Sequence, residues 1–170
     1  MGYEGSWSGM RKYLEKEMLA DSLKGRVSYG CTTYVGMDGS KIFEISVDDE
    51  QIKRFSLETV NNYFIEKGYN SIENPYGAIE YWDEFWSLLD KHPLNERTEY
   101  KDSEFAEALS VYRNQDIKCS VQSDNPIVRM FAILDRRVGK RTLEKLKDIL
   151  DEQPEWLKYF YSLRFEAENL

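Results

Sequence analysis

A change of hydrophobic period at residue 56 limits this chain's fold more than any other feature. Before it, apolar or small side chains recur at every second position: Val27, Tyr29, Cys31, Thr33 and Val35, then Phe43, Ile45 and Val47. Alternation of that kind belongs to half-buried strands. Met37-Asp38-Gly39-Ser40 between the two runs carries an Asp-Gly turn signal, so residues 27 to 47 read as a hairpin. Gln51 to Phe55 supplies a third strand, needed because a lone hairpin is marginal in water. After Ser56 the spacing becomes helical. Ser56 caps a helix with Leu57, Val60 and Phe64 that stops at Gly68, and Asn74-Pro75 starts the next. That third helix puts Ile79, Trp82, Phe85, Trp86 and Leu89 on one arc and Glu80, Asp83, Glu84 and Asp90 on another.

Further along, Asp102 or Ser103 caps a helix with Phe105, Leu109 and Tyr112, and a short turn surrounds residues 117 to 121. Asn125-Pro126 starts a fifth helix aligning Ile127, Phe131, Leu134 and Val138 and reaching Gly139. A sixth carries Leu143, Leu146 and Leu150, and Pro154 opens the last, with Trp156, Phe160 and Leu163. At the other end, Ser6 or Ser8 caps a first helix with Trp7, Met10, Leu14 and Met18 that ends at Gly25. The expectation is an α+β fold: an N-terminal helix, a small antiparallel sheet, and a helical C-terminal two thirds. The 170 residues suit one domain spanning 1–170. Residues 93 to 104, the most polar non-periodic segment, are the expected mobile loop.

Residue counts exclude much chemistry. Cys31 and Cys119 lie far apart without CxxC spacing, which removes zinc knuckles and dithiol redox motifs and leaves two unrelated buried thiols as the expectation. His92 is the sole histidine, no G-x-S-x-G elbow accompanies it, and HExxH, Walker A and GxGxxG patterns are absent. No cofactor, metal or catalytic residue is therefore assigned, and Asp48-Asp49-Glu50 reads as a solvated turn. Met1-Gly2 with Ser6 matches a myristoylation pattern only formally, because Glu4 interrupts it and no basic cluster follows. No apolar run suits a signal peptide or a bilayer span, so a cytoplasmic location is expected.

Charge is unevenly spread. The net charge is −8, yet residues 125 to 147 hold seven basic against two acidic side chains, while residues 48 to 104 hold six against fourteen. Arg129, Arg136, Arg137, Lys140 and Arg141 are the candidate binding residues. On a helix continuing to residue 139, Arg129, Arg136 and Lys140 share a face opposite Phe131 and Leu134. Three readings compete for this stripe: helix-dipole and ion-pair cations, a patch for an acidic protein or a phosphate, and nucleic-acid contact, which the net charge disfavours. An exposed Trp82 or Trp86 beside Glu80, Asp83 and Glu84 would instead suit a basic partner.

The strings W-S-G-M-R-K-Y-L-E and L-A-D-S-L-K-G-R-V, then S-D-N-P-I-V-R-M-F-A-I-L-D-R-R-V-G-K-R-T-L, then F-Y-S-L-R-F-E-A-E, occur in that order. Together they resemble a bacterial family of uncharacterised proteins known by a locus-derived label. Its most distinctive string matches Asn125, Pro126, Arg129, Asp135, Arg136, Arg137, Gly139, Lys140 and Arg141, and the resemblance implies no ligand or activity. The central string also looks like one HEAT-type helix, but no second copy appears at a period of about 40 residues, so a solenoid is not expected. The leading functional expectation is a non-enzymatic cytosolic interaction module of the immunity or antitoxin kind, binding one protein partner. The alternative is a domain or enzyme that takes a phosphate-containing ligand on the 129–141 cations.

Overall fold

A computed structural model of the chain describes residues 5–33, 39–73 and 79–170. The hairpin turn at 37–38, the Asn74-Pro75 start and the Met1-Gly2 pattern lie outside the described residues. The fold is α+β. Strands β1 (Val27–Thr33), β2 (Lys41–Val47) and β3 (Glu50–Phe55) form one antiparallel sheet in the order β1-β2-β3. Val27 pairs with Val47 and Cys31 with Phe43, the register that puts Val27, Tyr29, Phe43, Ile45 and Val47 on one buried face. Between β2 and β3 the chain turns through Asp48 and Asp49, both at positive φ (51° and 69°) and exposed, as the acidic turn predicts.

The N-terminal helix is shorter than its hydrophobic stripe. Ser6 accepts from the Gly9 N–H and caps α1 (Trp7–Lys12), after which Tyr13–Met18 widens into a π-helical turn. At Leu19 the chain becomes extended and forms an isolated antiparallel bridge with Asp135. Met10 and Leu14 still reach the core.

Helices α2 (Leu57–Lys67), α3 (Ile79–Lys91), α4 (Asp102–Asn114), α5 (Ile117–Val121), α6 (Pro126–Leu134), α7 (Lys140–Lys147) and α8 (Glu155–Ala167) complete the chain. Ser56 caps α2 through the Thr59 N–H at 3.1 Å, and Gly68 closes it in the left-handed region at φ 67°. The centre of the molecule is α6, whose residues are all buried except half-buried Arg129. A helix apolar on every side belongs inside a core, and α4, α5 and α8 surround this one. Phe105 of α4 joins the layers: its ring lies 4.4 Å from Phe43, 4.8 Å from Phe55 and 5.3 Å from Phe131. A smaller core of Val60, Tyr63, Phe64, Phe85 and Leu88 holds α2 to α3.

One expectation about burial fails. Cys31 is half-buried and Cys119 exposed, so the thiols are not core residues. The 93–104 segment is pinned at two points: Arg97 and Tyr100 are buried, with Arg97 donating to Glu104, to the His92 carbonyl at 2.7 Å and to the Glu99 carbonyl at 3.2 Å. Buried arginine needs such partners, and a non-periodic polar sequence hides them. Among the described residues, no helix is long and apolar enough to cross a membrane.

Candidate functional site

The expected basic stripe does not form, because α6 ends at Leu134 instead of reaching Gly139. Asp135 takes extended backbone angles (φ −79°, ψ 134°) and the chain turns before α7. The cause is a polar knot around Asp135, whose side chain is fully buried. Tyr112 donates its hydroxyl to Asp135 Oδ2, and Arg137 donates its backbone N–H at 2.7 Å and its Nη2 at 2.8 Å. Chain 18–20 crosses the same point: Arg136 N–H donates to the Met18 carbonyl at 2.8 Å and Ala20 N–H to the Leu134 carbonyl at 2.9 Å. From α8, buried Arg164 donates to the carbonyls of Ile133, Asp135 and Val138 at 2.8–2.9 Å. The Ile133 carbonyl is one that the helix end leaves open, those of Asp135 and Val138 belong to the turn that follows, and one guanidinium bonds all three. Burial pushes the Tyr112 phenol well above its ordinary range, and neighbouring Asp135 pushes it further.

The five candidate cations accordingly separate into three settings. Arg129 lies in the first turn of α6, its Nη1 donating to the Ser123 carbonyl at 2.7 Å and its Nε to Gln153 Oε1 at 3.1 Å. Arg137 is spent on Asp135, although its side chain remains 38% exposed and its guanidinium lies 5.9 Å from the Tyr112 ring centroid. Hydrogen bonding to Asp135 raises its pKa, so it titrates above any usual range. Arg136, Lys140 and Arg141 are exposed, and no ion pair among the described residues engages them. The carboxylates of 48–104 do not neutralise them. Gly139 starts α7 without a side-chain cap; Thr142 and Leu143 donate their N–H groups to its carbonyl, and among the described residues no acceptor takes those of Lys140 and Arg141.

The acidic helix α3 is rotated from its expected setting. Tyr81, Phe85 and Leu88 are buried, whereas Ile79 is 76% and Trp86 44% exposed. Among the described residues the apolar cluster beneath α3 comes from α2 and Tyr69, and the Tyr81 hydroxyl donates to Asn61 of α2, so the covered stripe centres on Tyr81, Phe85 and Leu88. Lys101 Nζ lies 4.3 Å from the Trp86 ring centroid, covering part of the exposed indole.

A second buried polar group went unseen in the sequence. Lys53 of β3 is nearly enclosed, 3.1 Å from Glu99 and over the rings of Tyr100 and Trp156 at 5.4 and 5.0 Å. Burial lowers its pKa, opposed by Glu99. Its only sequence signal is a lysine at an inward position of an alternating strand. His92 stacks on Tyr69 at 4.1 Å. Among the described residues no group of three or more His, Cys, Asp or Glu side chains is placed to hold a metal ion.

Comparison with known proteins found no match among curated proteins or solved structures. A family model described as the SF0329 protein family matches residues 6–165, which include α1, the sheet, the Asp135 knot and the 136–141 cations. By that match the chain belongs to the SF0329 protein family.

Proposed function

We propose that this chain is a non-enzymatic bacterial protein-interaction module of the cytosol, docking an acidic partner surface on Arg136, Lys140 and Arg141. One observation carries the reading: these exposed cations follow the Asp135 knot, and among the described residues no ion pair engages them, the charge of Arg136 reaching Asp21 only at longer range. A fixed backbone lowers the ordering cost of binding, and Arg side chains suit carboxylate surfaces. An immunity or antitoxin role is one form such docking takes. It agrees with the acidic net charge only by analogy.

The open N–H groups at the start of α7 favour a second reading, a phosphate-containing ligand on the same cations. One triple variant, Arg136→Glu with Lys140→Glu and Arg141→Glu, serves both. Co-purification from source cells, followed by binding measurements across a salt series, is expected to yield a partner whose affinity falls with salt and disappears in the variant. Stabilisation of the wild type by inorganic polyphosphate, absent from the variant, would favour the phosphate reading. Partner binding unchanged in the variant would refute both uses of these cations.

A further inference from the structure

Two cavities meet at Asn95, Arg97 and Asp124, on the far end of α6 from the 136–141 cations. The first, of about 520 Å³, extends to Arg129, Glu152 and Gln153. The second, of about 440 Å³, opens onto Leu89, Pro93 and Leu94. Both fall within the range of roughly 300–1,000 Å³ common for small-ligand sites. One chamber is charged, its neighbour adds the apolar side chains of Leu89, Pro93 and Leu94 to the paired Arg97 and Glu104, and Asp124 lies on the wall they share.

The charged chamber holds opposite charges that do not meet. Arg129, Asp124 and Glu152 all line it, yet among the described residues no ion pair within 4.0 Å joins Arg129 to a carboxylate. Arg129 is held back on its own side. Ser123 and Gln153 accept from its guanidinium, and Gln153, itself buried, is fixed through the Ile149 carbonyl. Those two partners leave part of the five-donor fork for the cavity. An anchored cation sharing a cavity with exposed anions complements a molecule whose own charges are reversed in order. A phosphate dianion fits poorly, because Asp124, Glu152 and Glu96 would repel it, and a diamine would leave Arg129 facing a like charge.

We propose that this double cavity binds a free α-amino acid with an apolar side chain: carboxylate on Arg129, ammonium on Asp124, side chain in the chamber of Leu89, Pro93 and Leu94. The carboxylate takes the planar fork that suits it, and the ammonium sits at the junction of the chambers. The site uses neither Arg136, Lys140 nor Arg141, so it stands or falls separately from the docking surface.

Calorimetric titration of the full chain with L-leucine, L-methionine and L-phenylalanine tests it. At least one is expected to bind saturably below about 1 mM. Its amide, which lacks the carboxylate, and its N-acetyl derivative, which lacks the ammonium, should each bind about tenfold more weakly or worse. Asp124→Asn, at an exposed position, should lose the ammonium contribution while melting at the wild-type temperature without ligand. Arg129→Lys keeps the charge but not the fork, and should weaken the amino acid more than its amide. No saturable binding by any of the three up to about 10 mM, or equal affinity for the amide and the free acid, overturns the proposal.

Discussion

Replacing Arg164 with methionine removes the group that closes α6 while keeping an unbranched side chain of similar length. The buried carbonyls of Ile133 and Val138 then lose the Arg164 donor, that of Asp135 is left with the Val138 N–H at 3.2 Å, and Glu168 loses its contact at 3.0 Å while keeping the Ser22 hydroxyl. An unsatisfied buried acceptor costs about 1–3 kcal/mol, partly recovered where an acceptor finds water or shifts. The expected destabilisation is therefore about 3–5 kcal/mol, against roughly 5–15 kcal/mol for a whole domain. In urea, with a slope near 2 kcal/mol/M, the midpoint should fall by about 2 M at unchanged slope. Tryptophan fluorescence and circular dichroism should report one coincident transition. Glu168→Gln isolates the half-exposed ion pair and should cost about 1 kcal/mol or less. If Arg164→Met costs under about 1 kcal/mol, or no more than Glu168→Gln, the carbonyl-capping account of the knot is refuted.

Further expectations concern pH, caps and the knot's other members. Burial raises the phenol pKa values of Tyr29, Tyr100, Tyr112 and Tyr161, so these groups stay protonated in the folded chain where the unfolded chain has ionised them. Their contribution is complete below about pH 10 and is lost as pH rises beyond it, at about 1.4 kcal/mol per pH unit for each tyrosine. Lys53, shifted downward, opposes this with a single group, so urea midpoints should still drop steeply between about pH 10 and 11. A flat profile there would contradict the burial of the phenols. Tyr112→Phe removes one donor from buried Asp135 and should cost about 1.5–3 kcal/mol by urea denaturation. Ser56→Ala removes the α2 cap and should cost about 1 kcal/mol. Gly68→Ala meets no atom within 4 Å but must hold φ 67°, so strain alone should cost about 1 kcal/mol, and a cost near zero would show that the helix end relaxes.

Periodicity alone located the strands, the Ser56 and Asn125 caps, and the main core. Val27, Tyr29, Phe43, Ile45 and Val47 alternate because a strand's two faces alternate, and Ile127, Phe131 and Leu134 repeat because a helix turns every 3.6 residues. These are local constraints, and each shows in a window of a few residues. The boundary at Leu134 is different. Nothing in I-L-D-R-R-V-G-K forbids another helical turn. What stops the helix is a carboxylate drawn inward by Tyr112 of α4, a strand-like crossing at Leu19, and Arg164 of α8, groups 23, 116 and 29 positions away from Asp135 or nearly so.

The same division governs the candidate site. Composition located the excess of cations in 125–147, but the tertiary structure assigned Arg129 to a cavity, Arg137 to Asp135, and Arg136, Lys140 and Arg141 to solvent. A sequence shows how many charges a segment holds and at what spacing. Which of them meet a partner depends on desolvation and on hydrogen bonds to distant segments, and only the folded chain decides those.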